Sequence, residues 1–143
     1  MDKIKRKETS YIIIHSSNTS PKENLDVKAL NKIHRQKGFL NVIHHLIIKR
    51  DGIIEVGRDL DEIGAHTEGL DDKSISICLI GGVSTDTDLE PRLNYTSKQW
   101  ETLKNLIKSL LILCPQAKVE GFNDVDETKV SPYFDVQSWL DFK

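Results

Sequence analysis

Long apolar runs are what this chain most plainly lacks. None approaches the ~20 consecutive apolar residues needed to cross a bilayer, so the sequence offers no membrane-spanning segment. The basic start, Met1 to Lys7, leads only into the run Tyr11-Ile12-Ile13-Ile14. Signal peptides carry an apolar region of roughly 7–15 residues, and none is read here. Charge of one sign is lacking too: 20 Lys and Arg against 22 Asp and Glu leave a formal net charge of −2, which gives no polyanion-binding signal and argues against a nucleic-acid partner. Cysteine is scarce. Cys78 falls in an expected buried strand and Cys114 at the end of an expected helix, and two buried reduced thiols are the reading for a chain that is not secreted. No repeat, low-complexity tract or interdomain linker interrupts the sequence.

What is present describes an ordinary globular chain. Its 143 residues suit one domain able to bury about two-thirds of its unfolded surface. The hydrophobic fraction of 38% and charged fraction of 29% exclude a disordered chain. Tyr11 to His15 reads as a strand covered on both faces. Asp26 is placed to cap a helix running through His34 and stopped by Gly38. Val42 to Ile48 reads as a second buried strand, and Asp51-Gly52 as a hairpin turn into Ile53-Ile54-Glu55-Val56. Ser74 to Ile80 is another strand, ended by Gly81-Gly82 and followed by a polar loop from Val83 to Asn94. Thr96 caps a helix that sets Trp100, Leu103, Leu106, Ile107, Leu110 and Leu111 on one face until Pro115, and Val119 begins a short edge strand. Strands alternating with helices, plus one hairpin, predict an α/β domain: a central mixed β-sheet flanked by helices.

Five segments carry a resemblance. They are Tyr11-Ile12-Ile13-Ile14-His15-Ser16-Ser17, Ile43 to Gly52, Ile63 to Gly69, Gly121-Phe122-Asn123-Asp124, and Thr128 to Val136. Together they resemble the zinc-dependent N-acetylmuramoyl-L-alanine amidases, a family that includes small phage lysozyme-amidases and the peptidoglycan recognition proteins. The resemblance covers about residues 11–140 and implies one amidase-like domain over 1–143, with 1–10 as an N-terminal extension. It implies a zinc ligand at His15, a histidine where this chain has Phe122, and a cysteine or aspartate where it has Ser131. Two of three ligands are therefore replaced, and no cofactor is expected. Lys129 matches the family lysine, and His44 stands where many members have tyrosine.

The chemistry weighs these substitutions. Zinc hydrolysis needs three protein ligands and an open position for water. Phe122 has no lone pair and Ser131 offers a neutral hydroxyl, so one surviving ligand does not hold zinc. A rearranged set of His15, His44 and Asp124 or Asp135 is chemically acceptable, although Asp135 is placed to cap the following helix. His44 and His45, adjacent on an expected strand, face opposite sides, and the resemblance implies His44 toward the site and His45 inside.

Three readings follow. The first is a degenerate domain that binds peptidoglycan or muropeptide through His15, His44, His66, Thr67 and Lys129, with Asn123 and Tyr133 on the rim. The second is an active amidase with noncanonical ligands or a metal-free route, in which His15 or His44 acts as base and Lys129 stabilises the oxyanion. The third is a protein-binding regulator on the same fold. The expected location is cytoplasmic, or outside after phage-type lysis.

Overall fold

The computed structural model describes residues 5–83 and 94–142, so most of the expected Val83–Asn94 loop lies outside the described residues. Five strands form one sheet: β1 (Tyr11–Ser16), β2 (Leu46–Ile48), β3 (Ile54–Val56), β4 (Ser74–Leu79) and β5 (Lys118–Gly121), in the order β3-β2-β4-β1-β5. The β1–β4, β1–β5 and β2–β4 ladders are parallel, and only the β2–β3 hairpin is antiparallel. The sheet is therefore mixed, as the sequence pattern predicts. The hairpin turns where expected: Gly52, at φ +85, donates its N–H to Lys49 O at 2.9 Å, and the Asp51 carboxylate accepts from Ile53 N at 3.0 Å. Glycine is the residue that reaches that φ without a Cβ penalty.

Period-two alternation sorts the strands between two faces. Ile12 and Ile14 of β1, Leu46 and Ile48 of β2, and Ile75, Ile77 and Leu79 of β4 form one core with Leu103, Ile107 and Leu110. Those three belong to α2 (Ser97–Leu113), whose N-cap Thr96 and N3 residue Gln99 form a reciprocal capping box. The opposite face carries Ile47, Cys78 and Ile80 against Leu30 of α1 (Val27–Gln36), capped by Asp26, which accepts from Ala29 N at 2.8 Å. On this second face the alternation also places Ser76 of β4 and, at the end of β1, His15.

The expected strand Val42–Ile48 is shorter than its apolar pattern implies, only Leu46–Ile48. The cause is a side chain. His45 N–H donates to Ser76 O at 3.2 Å, but Ser76 N–H donates at 2.9 Å to the His45 ring Nδ1 rather than to a carbonyl. An imidazole inside the ladder ends regular pairing there. Among the described residues at the N-terminus, Lys5 bridges to Glu62, and Arg6 N–H donates to Asp61 O.

Gln99 ties the layers together. Fully buried, its amide donates to Ile48 O at 3.1 Å and Ile80 O at 2.8 Å, the carbonyl ends of β2 and β4. Gln99→Ala leaves both carbonyls without that donor, and urea titration should show a loss of about 2–3 kcal/mol. Ile112→Ala, at a residue 81% exposed on the same helix, should stay within about 0.5 kcal/mol. Equal effects of the two substitutions would contradict this packing.

Candidate functional site

Two neighbouring parallel strands, β1 and β5, create the site at their carboxyl ends. In the β1–β5 register Ile14 lies opposite Gly121, so His15 on β1 neighbours Phe122, the first residue of the short helix α3 (Phe122–Val125). Ligands of open α/β sheets characteristically sit beyond such carboxyl ends. The His15 and Phe122 rings meet at 4.4 Å between centroids.

The other histidines gather on the same side. His44 lies 4.8 Å and His66 5.2 Å from His15, centroid to centroid, and all three are at most 6% exposed. His34 of α1 touches His44 at 5.9 Å and His45 touches His66 at 5.8 Å, so all five histidines of the chain are linked. Of the adjacent pair, His44 faces the site, whereas the fully buried His45 turns inward to Glu62 O at 2.6 Å. His66 is placed by its loop: the His66 and Thr67 amides donate to one Asp71 carboxylate oxygen at 2.8 and 2.7 Å. Arg58 holds the same loop to Val42 O and Ile63 O.

A shared hydroxyl couples two of the rings. Thr67 Oγ1 lies 3.1 Å from His15 Nε2 and 2.7 Å from His66 Nδ1. One hydroxyl has one proton, so it donates to at most one of these rings and accepts from at least one. His44 Nδ1 meets Ser76 Oγ at 2.6 Å.

Burial pushes every one of these imidazoles below its ordinary value of 6.5: His15 to about 3, His45 to about 4, His66 to about 2, with His44 well below and His34 also lowered. The Asp71 carboxylate lies 3.5 Å from His66 Nε2, but that spacing is not a hydrogen bond, and desolvation keeps the ring neutral while raising the Asp71 carboxyl.

These residues do not supply a zinc site. Phe122 places carbon against His15, and Ser131 Oγ accepts the Ser16 N–H at 2.8 Å. Neither carboxylate rescues the set. Asp124 accepts from Gly121 N at 2.8 Å and Gln137 Nε2 at 3.2 Å, and Asp135 caps α4 (Val136–Trp139) by accepting from Gln137 N and Ser138 N. Among the described residues no group of three or more His, Cys, Asp or Glu side chains is disposed to hold a metal ion. Cys78, fully buried with its thiol driven up by desolvation, is no ligand either.

The open space lies outside the histidines. A cleft of about 630 Å³ runs past Thr67, Glu68, Phe122 and Lys129, and another of about 570 Å³ past Asn123, Lys129, Val130 and Tyr133. The histidine pocket holds only about 160 Å³. Lys129 is exposed, with Nζ 5.7 Å from the centre of the Phe122 ring. Asn123 donates to Val130 O and Phe134 O, while Tyr133 donates to Asn18 Oδ1 at 2.9 Å. The sequence pattern thus brings His15, His44, His66 and Thr67 into one cluster, with Lys129, Asn123 and Tyr133 along the outer clefts. It misses Ser76, Asp71 and His34. Only the HTEGLD spacing, with Asp71 four residues after Thr67, hints at one of them.

Comparisons with known proteins agree on the ancestry of this arrangement. A family model described as N-acetylmuramoyl-L-alanine amidase matches residues 5–122. The endolysin of Enterobacteria phage K11 is 36% identical over 136 residues, 95% of this chain and 88% of the relative. That of Escherichia phage T7 is 35% identical over 134 residues, 94% and 87%. Among solved structures, the Ph2119 endolysin of a Thermus scotoductus bacteriophage superposes with a TM-score of 0.81 at 14% identity, over 97% of this chain and 88% of that one. Drosophila PGRP-LB gives 0.71 at 24%, over 99% and 84%.

The buried rings make a pH prediction. Below about pH 6.5 an unfolded chain takes up protons on histidine that the fold refuses, so stability falls as pH falls. Unfolding free energy from urea titrations should be level from pH 7 to 8. It should then drop by up to about 1.4 kcal/mol per pH unit for each fully buried histidine. Unchanged stability from pH 7 to 5 would show that the rings protonate in place.

Proposed function

The chain belongs to the N-acetylmuramoyl-L-alanine amidase family, and we propose that it recognises peptidoglycan fragments (muropeptides) without cutting them. The observation that carries this reading is the Phe122 ring against His15, with the Ser131 hydroxyl bonded to Ser16 N–H. Two positions where the family places metal donors are filled by groups that do not donate, while the clefts beside them stay open. A solved relative supports the ligand class: Drosophila PGRP-LB has been crystallised with tracheal cytotoxin. Lys129 borders both outer clefts, where its ammonium suits a stem-peptide carboxylate.

A metal-free hydrolase is the weaker reading. Ser131 Oγ is held by a backbone amide and has no base, and the imidazoles are buried away from the larger clefts.

The first test is elemental analysis after dialysis against zinc, together with mass spectrometry of muropeptide incubated with the protein. We expect no stoichiometric zinc and an intact muramoyl-to-L-alanine amide. A cleaved amide would overturn the reading. The double variant Phe122→His/Ser131→Cys should retain zinc through dialysis, which neither single variant should do. In calorimetric titrations of muropeptide, Lys129→Ala should weaken binding about fivefold to tenfold, the effect of one lost charge-assisted contact. Unchanged affinity would remove Lys129 from the groove.

A further inference from the structure

Phe122 does more than occupy a ligand position. It is the residue, among those described, that borders both the 630 Å³ outer cleft and the 160 Å³ histidine pocket. Its ring is packed on His15 from within and lies beneath the Lys129 ammonium from without. Behind it, His15 is 3% exposed, His44 5% and His66 6%. In front, the two outer clefts adjoin at Asp124 and Lys129, one reaching Thr67 and the other Tyr133. The backbone that carries the ring is held independently of it: Asn123 N–H donates to Ser131 O at 2.9 Å, and Asp126 N–H to Phe122 O at 3.0 Å.

We propose that Phe122 is a specificity-determining wall, confining the ligand to the outer groove so that the peptide stem is read and the muramoyl group attached to its amine is not. The proposal rests on the muropeptide reading and adds a choice within it. The junction between sugar acid and peptide has no seat among the histidines, because an apolar ring stands where it would enter. What remains within reach is the charged and amide-bearing surface around Lys129, suited to the carboxylates and backbone of a short peptide. Removing the ring opens a passage into a pocket lined by neutral imidazoles and hydroxyls, with His66 Nε2 buried and lacking a hydrogen-bond partner. Those groups suit an acyl amide.

The test compares an N-acetylmuramoyl tripeptide with the same tripeptide acetylated at its amine, titrated calorimetrically into wild type and Phe122→Ala. In wild type the two affinities should agree within about threefold, and in Phe122→Ala the muramoyl probe should gain about tenfold over the other, as for one group newly seated in a pocket. A wild-type preference for the muramoyl probe of about tenfold or more, or an unaltered ratio in the variant, would overturn the wall. Binding of neither probe to wild type would instead sink the muropeptide reading. The wall then still stands or falls on diethylpyrocarbonate labelling of His15, His44 and His66, mapped by mass spectrometry. Labelling should be slow in wild type and several-fold faster in Phe122→Ala. Equal rates count against the proposal. If Phe122→Ala does not fold, Phe122→Leu keeps apolar packing against His15 and should show the same changes in smaller degree.

Discussion

β1 is paired on both sides by parallel strands, and the site depends on that double ladder. Its register against β4 and β5 leaves no freedom in where His15 lies: opposite Cys78 on one side and just past the Ile14–Gly121 pair on the other. A slip of one residue would exchange the two faces of the strand, sending His15 into the Leu103–Ile107 core and Ile14 into the site. The isoleucines therefore specify the chemistry as firmly as the histidine does. Ile12 and Ile14 belong to the α2 core, and burying them forces the alternate positions toward α1.

Once the strands deliver several imidazoles to one buried place, each must be satisfied without charge. The protein does this with hydroxyls. Thr67 bridges His15 and His66, Ser76 meets His44, and the His45 ring takes both a backbone N–H and a backbone carbonyl. Neutral rings with fixed partners fit the depressed proton affinities, since a buried imidazolium would need a nearby anion. Asp71, the nearest carboxylate to His66, is instead engaged by two backbone amides. The cluster is built like a folded core that happens to be polar.

Much of this was legible in the sequence. The isoleucine run, the Asp51-Gly52 turn and the Thr96 cap each pair a local signal with one conformation, and each forms as its pattern implies. Asp135 likewise announced its role as a helix cap, because a capping aspartate works through neighbours two and three residues on. The length of the second strand was not legible. Val42–Ile48 is apolar enough to pair throughout, yet the His45 ring captures the Ser76 amide, a contact spanning 31 positions that no local pattern encodes. Ser76 was missed for the same reason: a serine in a buried strand reads as core until its histidine partner is seen across the sheet. Asp71 is different, because its partners Thr67 and His66 are local and only the spacing hinted at it. The outer groove was visible in part, through Thr67, Asn123, Lys129 and Tyr133, while the rest of its walls come from a loop after β3 and the segments after β5 that no single pattern links.

If Phe122 and Ser131 stand where the family places metal donors, as proposed, the two together have a physical logic that one change alone lacks. Metal ligands are polar groups whose solvation is supplied by the ion, and without it each becomes a buried group in need of a partner, at about 1–3 kcal/mol apiece. A histidine at 122 would stand against His15 with an uncompensated nitrogen. Phenylalanine keeps the aromatic contact and removes that demand. A cysteine at 131 would offer a weak acceptor to the Ser16 N–H, whereas the serine oxygen accepts it at 2.8 Å. Both residues thus stabilise the fold without an ion, and both make it harder for one to enter. The surviving His15 is consistent with the same pressure: its Nε2 is paired with Thr67, so it needs no metal to remain buried. On the proposed reading, a site repacked this closely leaves recognition to the groove beside it.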